Sequence, residues 1–292
     1  MVEYIVIYGS DNLMIGYIDV GGGLRAVYGA GVLDYCADNN INFDYFAGVS
    51  AGSANIASFM AGQRGRARRF YLEYTFRREY MSIYNFAKKG SYIDLDYIYS
   101  GLSNEDGEDP IDAEKFENNP APLVVVATNA KTGKAEYFYK GKDIYRDEYD
   151  AFKISCTIPI VNRAYPLYDN YYYDGGLSDP IPIQKALDDG CDKVVVTLTR
   201  PLSYVKHHWV PDALVSKLMK QYPEAAKTLQ TSVDKYNEDL EYIKRLADEG
   251  KVLIIAPDSC CGVETLSKRR KNILQLYLKG YYDAQKISEF LK

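Results

Sequence analysis

Three short stretches carry residue types that can do chemistry together. The first is Gly48-Val49-Ser50-Ala51-Gly52, a serine between two glycines. It closes the apolar run that starts at Phe43 and leads into the small, helix-compatible residues Ala54 to Ala61. Strand, sharp turn and helix is the setting in which such a serine is lifted clear of a sheet and backed by amide N–H groups. Gly48 and Gly52 leave room for the two arms of the turn to approach. The second stretch is Asp174-Gly175-Gly176, directly after Tyr171-Tyr172-Tyr173. A carboxylate at a strand end, released by two glycines, is placed to act as a general base; an aspartate capping an ordinary turn has the same local sequence. The third is Gly21-Gly22-Gly23-Leu24-Arg25-Ala26, between a strand-like run (Met14 to Val20) and a helical pattern through Val27, Ala30, Val32, Leu33 and Cys36. Such a loop turns several free amides to one side, where they can hold a phosphate or a developing oxyanion.

Two functional readings compete for that loop, beside a purely structural glycine turn. Gly21, Gly23 and Ala26 satisfy the loose dinucleotide pattern G-x-G-x-x-G/A. That pattern also asks for an acidic residue at the end of the second strand to bind a ribose. Asp44 has the right distance along the chain but opens its strand, and the strand ends at Val49-Ser50. The nucleotide reading lacks its ribose partner where the serine reading has its nucleophile. The histidines are His207 and His208 alone, a doublet that a serine–histidine–aspartate triad would have to draw on and that otherwise belongs to a surface loop or lid. The basic run Arg64-Gly65-Arg66-Ala67-Arg68-Arg69 reads either as a solvated helix face or as a contact for anionic lipid.

The elements that must position these residues follow a strand–helix alternation. Tyr4 to Tyr8 and Met14 to Val20 read as strands around a turn at Gly9 to Asn12. Residues 91–119 are acidic and turn-rich, a surface excursion. Leu123 to Thr128 and Lys193 to Thr199 are continuous apolar runs of the kind found in parallel strands buried on both faces. Ala135 to Tyr139 reads as an antiparallel neighbour, residues 144–158 as a helix ended by Pro159, and residues 165–173 as a hairpin turning at Asp169-Asn170. Helical, charged sequence fills residues 205–249, a strand follows at about 251–257, and helices close the chain. The expected organisation is a core over residues 13–200 and a helical C-terminal region over 201–292 packed on it as one domain.

Composition sets bounds. The 292 residues, 47% hydrophobic and 26% charged, suit one large α/β domain. A formal net charge of −5 speaks against nucleic acid as a partner. No apolar run reaches membrane-spanning length, and the first residues lack the basic and apolar regions of a secretion signal. Five scattered cysteines fit reduced thiols, and no cysteine or histidine spacing suits zinc, so neither metal nor cofactor is expected. The expected location is cytoplasmic, with peripheral contact at the inner membrane surface. Composition offers no reason for the 29 tyrosines.

Taken in order, the glycine loop, the G-V-S-A-G turn and D-G-G, each after a strand, resemble the patatin-like phospholipase family. The likeness extends to Gly62-Gln63-Arg64-Gly65-Arg66, to V-V-A-T-N-x-x-T-G from Val125, to Asp179-Pro180-Ile181-Pro182-Ile183 and to V-V-V-T-L-T-R-P from Val194. It covers roughly residues 13–260. The resemblance implies a three-layer α/β/α fold with a mostly parallel sheet, related to the α/β-hydrolases. It implies lipid acyl-ester hydrolysis by a serine–aspartate dyad, with Ser50 as nucleophile and Asp174 as base. Gly21, Gly22, Gly23 and Arg25 would form the oxyanion hole, and Gly48, Gly52, Gly175 and Gly176 would support the two turns. Ala26 departs from the family pattern, which has glycine there.

Overall fold

The computed structural model describes residues 13–208, 210–266 and 268–292; the strand read at Tyr4 to Tyr8 and the turn after it lie outside the described residues. Eight strands form one sheet: β1 (Ile15–Asp19), β2 (Tyr45–Val49), β3 (Leu123–Asn129), β4 (Ala135–Tyr139), β5 (Tyr165–Leu167), β6 (Asn170–Asp174), β7 (Lys193–Thr197) and β8 (Val252–Ile255). Its order is β5-β6-β3-β2-β1-β7-β8, with β4 also paired to β3. The five strands β3, β2, β1, β7 and β8 are parallel, and β4, β5 and β6 are antiparallel. The continuous apolar runs behave as expected of strands covered on both faces: every residue of β1, β2 and β3 is buried.

The helices are α1 (Val27–Asp38), α2 (Ala51–Met60), α3 (Arg66–Leu72), α4 (Ile83–Lys89), α5 (Ala113–Asn118), α6 (Asp150–Ser155), α7 (Ile183–Asp188), α8 (Asp212–Leu218), α9 (Pro223–Asp248), α10 (Arg270–Asp283) and α11 (Ile287–Phe290). Alternate strand residues enter two different cores. Tyr17, Phe46 and Val125 pack with α1, α2, α6 and α10 on one face. Ile18, Ala47, Val124 and Val196 pack with α7 and α9 on the other. The fold is therefore a three-layer α/β/α arrangement around a mostly parallel sheet, and β8 ties the C-terminal region into that sheet.

The tyrosines acquire a reason here. Several set the ring in or against a core and donate the hydroxyl to a carboxylate, Tyr28 to Asp283, Tyr45 to Asp189, Tyr137 to Asp179 and Tyr277 to Asp34, and the half-buried Tyr281 donates to Asp38 in the same way. A tyrosine supplies apolar area and one donor at its tip, so it joins helices and strands without leaving a buried polar atom unmatched.

Two stretches differ from their sequence reading. The helix expected over 144–158 is confined to α6, because Asp147 takes a positive φ of 59° and its carboxylate accepts the Glu105 N–H at 2.8 Å. The acidic stretch 91–119 is only partly a surface excursion. Many of its polar residues face solvent, but Ser103 and Asp109 are buried against Arg66, and Ile93, Leu95, Ile98, Tyr99, Leu102, Ile111 and Phe116 are buried too.

Candidate active site

Ser50 stands between β2 and α2 with φ 54° and ψ −136°, a backbone region that L-residues rarely occupy. Holding a non-glycine residue there costs on the order of 1–3 kcal/mol and needs a surrounding structure that leaves no alternative. The glycines on either side supply the constraint. A Cβ on Gly48 would lie 2.4 Å from Ser53 Cα, and one on Gly52 would lie 2.3 Å from the Asp19 carbonyl oxygen. The Ser50 N–H donates to Ser155 Oγ at 2.8 Å, and Ser155 donates onward to the Val126 carbonyl at 2.6 Å. Ser53 Oγ donates to the Ser50 carbonyl at 2.6 Å. The serine is thus pinned through three neighbours that the sequence motif does not mark.

Asp174 ends β6 and caps the short turn Gly175–Leu177, its carboxylate accepting the Gly176 N–H at 2.8 Å. Its position is fixed by the Asp174 N–H on the Thr157 carbonyl and by Thr128 Oγ1 donating to the Asp174 carbonyl, each at 2.8 Å. Burial pushes its pKa up to about 6, against the opposing pull of the Ser50 hydroxyl, the Gly176 amide and the Lys206 ammonium. The Ser50 hydroxyl interacts with both Asp174 and the Cys156 thiol. Among the described residues no hydrogen bond of regular geometry joins Ser50 to Asp174.

The glycine loop lies against this turn, with Gly21 packed on Ser50 and the Val49 carbonyl. One expected role changes. The Gly21 N–H donates to Asp19 Oδ1 at 2.9 Å and is not available to an oxyanion. Gly22 and Gly23 have no acceptor for their amides among the described residues. Gly22 has φ 118°, open only to glycine, and a Cβ there would meet Thr199 Oγ1 at 2.6 Å. Thr199 in turn donates to the Gly21 carbonyl. Ala26, where the resemblance called for glycine, sits at φ −64°, a conformation any residue adopts.

Asp19 is the residue that the sequence reading passed over. It is fully buried, pushed by desolvation to about 6, and holds both Gly21 and Asn55 Nδ2. Asn55 also donates to the Ala26 carbonyl at 2.8 Å, so the pair ties the glycine loop to α2. No motif announced Asp19, because an aspartate closing a strand is unremarkable until its neighbours are known.

Two cavities meet at Ser50. A narrow one of about 60 Å³ runs between α2, α3 and residues 93–111, walled by Phe70, Tyr71, Tyr80, Ile98 and Tyr99, with buried Arg66 at its side. A wide cleft of about 510 Å³ holds Ser50, Asp174, Arg25, Arg200 and Lys206. Arg25 is 9% exposed, donates to Thr265 Oγ1 at 2.7 Å, and leaves its buried Nε without a partner. Desolvation and nearby Arg200 lower the Arg25 pKa; desolvation and Arg25 lower that of Lys206, while Asp174 opposes this. Three cations therefore converge here, answered by exposed Glu264 at 3.8 Å from Arg25 and 2.9 Å from Arg200.

The remaining sequence-predicted residues fall outside this arrangement. His207 lines the cleft but is exposed, His208 is exposed, and neither bonds to Ser50 or Asp174 among the described residues. Asp44 accepts the Ile15 N–H at the opposite end of the sheet from the glycine loop. The Arg64-to-Arg69 run is engaged internally. Arg64 pairs with Asp38, Arg69 with Asp109, Arg66 is buried, and Arg68 stacks over Tyr277. Among the described residues no three His, Cys, Asp or Glu side chains gather as metal ligands.

Comparison with known proteins adds a family to this geometry. The sequence model of patatin-like phospholipases matches residues 20–187, more than half of the chain. The chain belongs to the patatin-like phospholipase family. A second model, described only as a domain of unknown function (DUF6363), matches residues 222–292 of this patatin-like protein. The uncharacterized protein YjjU of Escherichia coli K12 is 31% identical over 189 residues, covering 64% of this chain and 52% of YjjU. The chain thus spans about half the length of that curated relative. The crystal structure of VipD from Legionella pneumophila superposes with a TM-score of 0.50 at 14% identity, covering 96% of this chain and 67% of VipD, a likeness of fold. No helix among the described residues is long and apolar enough to cross a membrane.

Proposed function

We propose that this patatin-like protein hydrolyses acyl esters of lipids through an acyl-Ser50 intermediate. The observation that carries the reading is Ser50 at φ 54°, at the meeting point of an apolar slot and a cationic cleft, beside Asp174. Ser50 Oγ attacks the ester carbonyl carbon while its proton passes to Asp174. The tetrahedral oxyanion is held by the Gly22 and Gly23 amides, with Arg25 adding positive field. Collapse breaks the bond to the alkoxide leaving group, which takes the proton from Asp174. Water then attacks the acyl-serine carbonyl carbon as it gives its proton to the same carboxylate, and collapse breaks the bond to Ser50 Oγ, which takes that proton back from Asp174 as the fatty acid leaves. A carboxylate raised to about 6 is ionised at neutral pH yet more basic than a free aspartate, which is what direct proton abstraction from serine requires.

The apolar slot suits the acyl chain. The convergence of Arg25, Arg200 and Lys206 suits an anionic group on the alcohol side, which favours a phospholipid over a neutral glyceride. Residues 13–292 act as one unit in this reading, since the cleft draws on both the core and the C-terminal region.

A fluorophosphonate probe tests the reading directly. Wild type is expected to be labelled and Ser50→Ala not. Labelling of both proteins at equal rate would remove Ser50 from the mechanism.

A further inference from the structure

The helix α4 is built inside out. Its buried residue is the polar Asn85, whose Nδ2 donates to the Glu79 carbonyl at 2.9 Å, and Ser82 caps the helix by accepting the Asn85 N–H at 3.1 Å. Its apolar residues face solvent: Ile83 is 81% exposed, Tyr84 64% and Phe86 50%. A folded chain gains nothing from such an arrangement in water, and large apolar side chains clustered on one projecting turn mark a surface that meets something else.

Cations lie at that turn: Lys88 lies over the Tyr84 ring, the Arg163 guanidinium packs against Gly90, and Lys268 donates to the Met81 carbonyl at 3.2 Å; Arg270, two residues on from Lys268, stacks over Phe76. None of these four forms an ion pair among the described residues. The chain as a whole is acidic, so this concentration is local. The face also adjoins the site. Tyr80 and Ile93, which flank the α4 segment, line the slot, and the Tyr92 N–H donates to the carbonyl of Val161, which lines the cleft. The other rim of the cleft, beside Lys206, carries Val205 at 55% exposure.

We infer that α4 is an interfacial anchor that seats the cleft on an anionic lipid bilayer. Ile83, Tyr84 and Phe86 enter the headgroup–acyl boundary, and Lys88, Arg163, Lys268 and Arg270 meet lipid phosphates. Apolar tips ringed by cations match a bilayer, which offers an apolar layer beneath a negative surface; a protein partner would call for a groove or a flat patch. The inference deepens the lipid-ester reading and takes the purpose of the surface from it.

The test separates binding from chemistry. Co-sedimentation is measured with vesicles of phosphatidylcholine alone and of phosphatidylcholine mixed with phosphatidylglycerol. Wild type and Ser50→Ala are expected to bind the mixed vesicles equally, and pure phosphatidylcholine more weakly. The triple variant Ile83→Ser, Tyr84→Ser, Phe86→Ser loses at least about tenfold in partition, as removal of three inserted apolar groups requires. It keeps the wild-type Tm and the wild-type rate on a short water-soluble ester. Wild type failing to bind either vesicle, or the triple variant binding as well as wild type, overturns the anchor. A wild type that binds vesicles through α4 yet cleaves no ester would sink the catalytic reading and leave the anchor standing.

Discussion

Asp174 holds its charge where its surroundings oppose one, and that conflict is measurable in both activity and stability. Its folded pKa of about 6 lies above the unfolded value of about 3.9, so folding takes up a proton in that window. The contribution is fully present below about pH 4, declines as pH rises, and above about pH 6 the ionised carboxylate is a net cost of roughly 2–3 kcal/mol. Asp174→Asn keeps the acceptor for the Gly176 amide and removes that cost. It is expected to abolish turnover while raising stability at pH 7 by about 1–3 kcal/mol. Thermal melts of both proteins at about pH 4 and about pH 7 check the sign, since the advantage must vanish in acid. In wild type, kcat/KM should rise with pH with an apparent pKa near 6; a profile flat from about pH 5 to 8 would remove Asp174 as the base. At this scale the sequence was eloquent for residues inside a motif and silent for those that hold them. Ser50 and Asp174 could be read because glycines punctuate them. Asp19, Ser155 and Lys206 could not, because their roles rest on partners 36, 105 and 32 positions away, Asn55, Ser50 and Asp174 respectively, and nothing local marks such a pairing.

In the proposed mechanism the glycine loop, as an element, aims two amides. Gly22 at φ 118° sets their direction, Thr199, two residues past the end of β7, grips the Gly21 carbonyl, and Asp19 grips the Gly21 N–H from β1. A methyl on Gly22 meets Thr199 Oγ1 at 2.6 Å in a backbone region closed to L-residues, so the loop must rotate. Gly22→Ala is expected to lower kcat on a soluble ester by about 10²–10³, the usual effect of losing one oxyanion donor, with KM little changed. An unchanged kcat would show that these amides do not face the reacting oxygen. The strands that carry the loop were readable from their apolar runs, since burial on both faces leaves no polar alternation to confuse. The stretches at 91–119 and 144–158 were not. In the first, Leu95, Ile98, Tyr99 and Leu102 do share one helical face, but the helical turn they line spans only Tyr97–Leu102 and the acidic, turn-rich residues after it outweigh so short a pattern; in the second a tertiary hydrogen bond from Glu105 to Asp147 breaks a helical pattern.

At the scale of the molecule, α10 packs against α1, the helix that follows the glycine loop, from outside the region that carries the motifs. Helices α1 and α10 approach until each needs a glycine facing the other's backbone: a Cβ on Gly31 would lie 2.1 Å from the Tyr277 carbonyl oxygen, and one on Gly280 would lie 2.0 Å from that of Tyr28. Tyr28 to Asp283, Tyr277 to Asp34 and Tyr281 to Asp38 then close the seam with hydrogen bonds. The N-terminal end of α1 is where the glycine loop enters, so any displacement of α1 moves the Gly22 and Gly23 amides relative to Ser50. Gly280→Ala adds a single methyl, good for helix propensity, at a place where backbone cannot give way without separating the helices. Overpacking of this kind costs about 1–3 kcal/mol, against a propensity gain of about 1 kcal/mol had the site been open. The variant is expected to melt at least about 2 °C lower, the shift that roughly 1 kcal/mol produces in a chain of this size. Its kcat on a soluble ester should fall together with Tm, although position 280 lies outside the region matching patatin-like phospholipases. Gly31→Ala, pressing on the same seam from the other helix, should reproduce both effects, and combining the two should cost less than their sum because one separation of the helices relieves both contacts. A Gly280→Ala protein that melts at or above the wild-type temperature with full kcat would show that the helices yield freely and that the seam does not set the loop.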